Sequence, residues 1–202
     1  MCDEYEIFEY LETEYRMEKK NRRRRIREIT QNNPFEMNDR EFINQYRFYE
    51  KFGIPGVIGC IDGTHIAIVR PNEHEERYFC RKNYHSLNVQ LICNADMDII
   101  SVDASHPGAN HDSFIWSNHP LKPYLENLST TESVWLLGDS GYPLRKTMMT
   151  PILNAEPDSP EAYYTEKHVK ARNIIERTIG ILKARFRCLL VHRVRFHMRS
   201  WV

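Results

Sequence analysis

Three acidic residues stand where apolar or structural positions would be expected. Asp62 interrupts the run "GVIGCIDGTHIAIVRP" (56–71), which otherwise reads as a buried strand. Asp139 sits where "VWLLGD" leaves its apolar stretch, and Glu176 lies directly beside Ile175 on a helical pattern. A carboxylate inside a strand costs several kcal/mol of desolvation unless a cation meets it. Gly63 follows Asp62 and Gly141 follows Asp139 by two residues, so a backbone or ligand can approach both closely. Acids drawn from two strands and a helix supply the hard oxygen ligands that Mg²⁺ prefers. Two such ions about 4 Å apart can activate a water on one side of a phosphodiester and stabilise the leaving oxygen on the other.

Around Glu176 the same helix carries His168 and Arg172, at i−8 and i−4, within an arc of about 80°. This line beside an apolar seam reads either as the border of a site or as a plain Arg–Glu surface pair. Gly180, one turn beyond Glu176, leaves open space above its side chain. A competing motif fails: "IDGT" is like the Asp-x-Asp-Gly-Thr of certain phosphatases, but Cys60 stands where the nucleophilic Asp would be. His74, Cys80 and His85 lie close together without the spacing of a zinc finger.

The elements that must position these acids follow from periodicity. Residues 57–69 predict a strand, with a break at Gly63 into a hairpin-like pair as an option. "HSLNVQLICNA" alternates, with Leu87, Val89, Leu91 and Cys93 on one face, and pairs as a hairpin with "DIISVDAS" through a turn at 96–98. Asp112 or Ser113 then opens a helix running towards Leu128. "SVWLLGDSGYP" is a short buried strand, and residues 143–160 form a link of little periodicity. Residues 165–189 give the clearest helix, with Ile175, Ile179, Leu182 and Phe186 as its core stripe. The order predicts an α/β domain with a mixed sheet.

Upstream, residues 3–29 read as a charged helix ending in "KKNRRRRIR", followed by a loop and a short helix capped by Asn38 or Asp39 and running through Phe48. The basic block, Lys19, Lys20, Arg22, Arg23, Arg24 and Arg25, suits a nuclear-import signal, a phosphate-binding arm or an unpartnered disordered run. Net charge is zero, yet residues 165–202 hold ten Lys/Arg against two acids. That asymmetry suits an anionic partner or a solvated helix face. Five cysteines without a CxxC or a regular framework point to a reducing compartment. The acidic start "MCDEYEIFEY" has no leader-like stretch and no run reaches membrane-spanning length, so an intracellular soluble chain is expected.

With these residues in view, the sequence resembles the PIF/Harbinger-type DDE transposases and the nucleases domesticated from them. The resemblance rests on five segments in order: "GVIGCIDGTHIAIVRP", "RKNYHSLNVQLIC", "HPGANHDSFIW", "WLLGDSGYPLRKTMMTP" and "ARNIIERTIGILKARFRCL". It implies a ribonuclease-H-like mixed sheet flanked by helices, with a helical or disordered N-terminal extension. By motif position Asp62 is the first member of a DDE triad, Asp139 the second and Glu176 the third. The triad is expected to bind two Mg²⁺ or Mn²⁺ ions and to cut DNA by water or 3′-hydroxyl attack. His65, His111, Asp112 and Arg172 fall in matched motifs as supporting residues, although Asp112 fits a helix cap equally well.

The same resemblance sets further expectations. Residues 1–52 form the extension, 53–190 the nuclease domain and 191–202 a basic tail. The helix-turn-helix-like segment that the family places between "YRF" and "FGIPGV" is missing, and family members continue past "RFRCL" with helical sequence that would cover the last helix. DNA is the expected partner, reached through the basic block and through Lys183, Arg185 and Arg187. A Myb-like protein is expected to supply targeting and import to the nucleus, with the cytoplasm as a second location. The alternative is a non-catalytic DNA- or protein-binding module that uses the basic helix and arm.

Overall fold

A computed structural model describes residues 48–191 of the chain. The expected helices within residues 3–47, the basic block at 19–25 and the tail from 192 onward lie outside the described residues. The element order is α1 (Tyr49–Phe52), β1 (Val57–Ala67), α2 (Glu75–Tyr78), β2 (Ser86–Cys93), β3 (Ile99–Pro107), α3 (Asp112–Asn118) and α4 (Leu121–Leu128). It continues through β4 (Trp135–Leu137), β5 (Met148–Met149) and α5 (Pro160–Arg185) to a 3₁₀ turn at Arg187–Leu189.

Five strands form one sheet in the order β3-β2-β1-β4-β5. β1 pairs antiparallel with β2, and β2 with β3, whereas β4 runs parallel to β1 and β5 parallel to β4. This mixed sheet with helices on its faces is the ribonuclease-H-like architecture expected from the sequence. Both faces of the central strand are covered, so β1 opens as a continuous apolar run with Val57, Ile58, Cys60 and Ile61 fully buried. On one face Cys60, Val89, Leu91, Cys93 and Leu137 pack against Ala171, Ile174 and Ile175 of α5. Positions one residue out of step, Gly63, Asn88 and Gln90 among them, face the side of α3.

β1 is unbroken at Gly63, which pairs with Gln90 in register, so the hairpin-like option is excluded. The β2–β3 turn is held by Asn94, whose Oδ1 accepts from the N–H groups of Asp96 and Asp98 at 2.9 Å each. The single helix expected from Asp112 to Leu128 is two. His119 precedes a proline and is driven to φ −70°, ψ 132°, and Pro120 then starts the second helix. The link at 143–160 contains β5, too short to show periodicity.

α5 begins earlier than its apolar stripe suggests. Ser159 caps it, its side chain accepting from the Ala162 N–H at 3.1 Å, and Pro160 takes the first turn. Its core-facing residues are His168, Ala171, Ile174, Ile175 and Thr178, with Ile179 and Leu182 packed at the edge. Phe186, assigned to that stripe by spacing, is half exposed because the helix ends at Arg185. Beyond Ile179 an open groove of about 1230 Å³ runs over the sheet, lined by Ile66, Leu87, Val89, Ile99, Leu182 and Leu189 among others.

Candidate active site

Asp62 lies near the middle of β1, opposite Leu91 in register, and so faces α5. Its side chain is 16% exposed and its Oδ1 accepts from the Gly63 N–H at 2.9 Å. Burial pushes its carboxyl up to about 6; Arg172 pulls it down, and Asp139 adds to the rise. At neutral pH it is ionised and needs a cation.

Asp139 is brought beside it by strand register. Cys60 is level with Leu137 across the parallel β1–β4 pair, so two residues further along each strand Asp62 and Asp139 leave on the same edge. The chain turns there through an Asx-type contact, Asp139 Oδ1 accepting from the Gly141 N–H at 2.8 Å. Asp139 thus points out of the sheet's end, whereas Asp62 stays largely enclosed.

The third acid comes from α5. With Ala171 and Ile175 anchored in the core, Arg172 and Glu176 are set one turn apart over the middle of β1 and the end of β4. Arg172 binds all three acids. Its Nη1 donates to Glu176 Oε1 at 2.7 Å, and its Nη2 lies 3.0 Å from Asp62 Oδ2 and 3.9 Å from Asp139 Oδ2. Burial works against the guanidinium's charge, but the three carboxylates outweigh it and raise its pKa. The structure therefore joins Asp62, Asp139, Glu176 and Arg172 in one cluster.

The cluster fits a divalent ion in chemistry: three hard carboxylate donors from three elements converge on a point where a cation already lies. It is not a closed cage. Among the described residues no group of three or more His, Cys, Asp or Glu is gathered for a metal, and the Arg172 guanidinium reaches each of these three acids.

The other expected site residues are elsewhere. His65 faces away from Asp62, its Nδ1 3.0 Å from Ser86 Oγ, and burial lowers its pKa. Asp112 lies across the sheet from the triad. It is not the cap of α3, which is His111; its Oδ1 instead accepts from Asn88 Nδ2 at 2.8 Å, against the open side of Gly63. His111 is exposed and its Nδ1 accepts from Arg81 Nη2 at 2.7 Å. His168 is wholly buried, 3.2 Å from the Met149 carbonyl, and belongs to the core. Lys183 donates to the His65 carbonyl at 3.0 Å, while Arg185 and Arg187 are exposed.

Sequence reasoning missed the polar layer beneath the site. Gln90 Nε2 donates to Tyr142 Oη at 3.0 Å, and burial, then Asp112, Asp62 and Asp139, raise the Tyr142 pKa. The signal was available: Asn88 and Gln90 occupy alternate positions of an otherwise apolar strand. A Ser101–His119 pair, 3.2 Å apart, has the look of a nucleophile and base but is not one. The His119 Nδ1 accepts from the Leu121 N–H, so its Nε2 carries the proton and cannot take one from the serine.

A family model described as DDE superfamily endonuclease matches residues 61–200, which hold all three acids and Arg172. The chain belongs to the DDE superfamily endonucleases. It is 40% identical to "Putative nuclease HARBI1" of Bos taurus over 143 residues, 70% of this chain and 40% of that protein. The Homo sapiens protein of the same name is 37% identical over the same shares, and "Protein ALP1-like" of Arabidopsis thaliana 26% over 71% of this chain and 39% of its own length. This DDE endonuclease chain thus spans about 40% of the length of the curated relatives it matches. No solved structure matches it. The Harbinger resemblance read from five motifs accords with these relatives.

Proposed function

We propose that this chain is a metal-dependent DNA endonuclease of transposase descent, with Asp62, Asp139 and Glu176 as its catalytic carboxylates. The observation that carries the reading is their convergence: acids 114 residues apart in sequence reach a single guanidinium within 3.9 Å. These three residues would hold Mg²⁺ or Mn²⁺, which when bound supplies activation of the attacking oxygen and charge for the leaving one. The protein's own part is to fix the geometry. Asp62 is held by β1, Asp139 by the Asx turn after β4, and Glu176 by a helix anchored at Ala171 and Ile175.

A route for the DNA backbone is part of the proposal. Arg81, Lys82 and Lys183 have no carboxylate within salt-bridge range among the described residues, and burial, with Lys82 adding to it, lowers the pKa of both His65 and Lys183. Cations with no carboxylate to neutralise them suit phosphates. Arg185, Arg187 and the block at Lys19, Lys20 and Arg22–Arg25 extend the same role. Nuclear location and a Myb-like partner rest on the family resemblance.

The test is nicking of supercoiled plasmid with Mg²⁺ or Mn²⁺, with and without chelator. Asp62→Asn and Asp139→Asn should each lose more than the roughly 100-fold that removal of an outer-shell partner costs. Cleavage unaffected by both substitutions would exclude the triad. DNA binding without any cleavage would instead identify a non-catalytic binding module.

A further inference from the structure

Arg172 is central to the cluster but is not a ligand type for a metal. Its side chain is 16% exposed and its guanidinium spans the acids: Nη1 on Glu176, Nη2 on Asp62 at 3.0 Å, with Asp139 at 3.9 Å from the same nitrogen. Three formal negative charges surround one positive charge. Its Nε is buried with no hydrogen-bond partner. A guanidinium satisfied on all sides is a fixed structural element; this one is held by its two terminal nitrogens alone. It stands where carboxylate oxygens from β1, β4 and α5 would have to meet a divalent ion.

We infer that Arg172 is the resident counter-cation of the carboxylate cluster, and that a divalent ion enters by displacing its guanidinium. The inference rests on the metal-dependent reading above. Two cations compete for one set of oxygens. A dication at Asp62 and Asp139 is repelled by a guanidinium 3.0 Å from Asp62 Oδ2, so the two compete for that oxygen. The chain has room for the exchange. Glu176 Oε1 is on an exposed side chain one turn away, and Gly180, the next residue on that line, has nothing within 4 Å of where a Cβ would be. Arg172 can therefore swing off Asp62 towards solvent along the open side of α5, leaving the three carboxylates to the ion. In this arrangement the metal-free site is closed by its own side chain, and metal affinity is set partly by how tightly Arg172 holds on.

The experiment is a calorimetric Mn²⁺ titration of the full chain and of Arg172→Met, which keeps the length and loses the charge. Arg172→Lys is the second variant, keeping one charge but only a single point of contact. Thermal unfolding in chelator establishes that each is folded. Displacement predicts that Arg172→Met binds Mn²⁺ at least about tenfold more tightly than the native chain, with Arg172→Lys between them, since removing a like charge a few ångströms from a dication favours its binding. It also predicts that Arg172→Met is less stable than native without metal and gains more from Mn²⁺. Equal or weaker Mn²⁺ binding by both folded variants would overturn displacement and leave the metal-dependent reading intact. Should Arg172→Met fail to fold, the native-to-Arg172→Lys comparison decides alone. Binding of Mn²⁺ by neither the native chain nor any variant would overturn both readings.

Discussion

The Arg172 Nη2 lies 3.0 Å from Asp62 Oδ2, an ion pair that crosses from the middle of α5 to the middle of β1. It explains how a carboxylate is tolerated in a central strand: the charge is met by a guanidinium rather than by solvent. Breaking such a buried pair by removing one partner typically costs about 3–5 kcal/mol. The sheet, the helix and the acid cluster are therefore coupled, and each can be probed through stability as well as through activity.

Asp62 should make folding pH-dependent in chelator. Burial raises its carboxyl from 3.8 to about 6, so the folded chain holds a proton more tightly than the unfolded one between those values. Stability contributed by this group then falls as pH rises through that window and is fully lost above it, a change of about 3 kcal/mol. Asp62→Asn removes the dependence. Urea melts of both chains from pH 4 to 7 should show the variant gaining on the native chain by about that amount. A constant difference across the range would mean that Asp62 titrates alike in the folded and unfolded chains.

Gly63→Ala tests the close approach behind the first acid. A Cβ at 63 would collide with the Asp112 carboxylate and come within 3.1 Å of Asn88 Oδ1. Asp112 cannot simply rotate away without giving up its bond from Asn88 Nδ2. The expected cost is about 1–3 kcal/mol, read as a lowered denaturation midpoint with an unchanged slope. A variant as stable as the native chain would mean that Asp112 moves freely.

Much of this was legible in the sequence because local signals and the global fold agree. The apolar run at 57–61, the alternation of 87–93 and the turn at 96–98 each specify one element, and the three acids stand out against them. What escaped was of two kinds. The break at His119–Pro120 was masked by apolar residues on both sides, although the proline itself carried the information. The contents of the site depended on tertiary register. Spacing along α5 put Arg172 near Glu176, but only the parallel pairing of Cys60 with Leu137 brings Asp139 to the same guanidinium as Asp62. Likewise, His65 shares a motif with Asp62, but strand alternation turns it to the opposite face, and Asp112, the first residue of α3, meets Asn88 on that same far side.

Ser159→Ala separates helix stability from site chemistry. The Ser159 side chain satisfies the Ala162 N–H at the start of α5, about four turns before Glu176. Its loss should cost about 1 kcal/mol and lower the melting temperature by about 2–4 °C. Mn²⁺ affinity should stay unchanged, since Arg172 and Glu176 are held from below by Ala171 and Ile175. A large fall in Mn²⁺ affinity would instead show that the whole helix must be locked for the acids to converge.

The cations without a carboxylate partner make a prediction in salt. Arg81 comes from the loop before β2, its neighbour Lys82 from the same loop, and Lys183 from two turns beyond Glu176 on α5. Each phosphate they neutralise releases counter-ions, so the logarithm of DNA affinity should fall steeply with the logarithm of salt concentration. Replacing the three with glutamine should weaken binding to any duplex sequence and reduce that slope by roughly one for each phosphate no longer neutralised, about three in all. Asp62→Asn should leave the slope as it is in chelator, because the triad makes no phosphate contact without metal. Fluorescence anisotropy with a short labelled duplex from 50 to 200 mM salt, about the range in which such contacts are resolved, measures both. A slope unchanged by the triple substitution would move the DNA track away from this edge of the sheet and onto the exposed Arg185 and Arg187 at the end of α5.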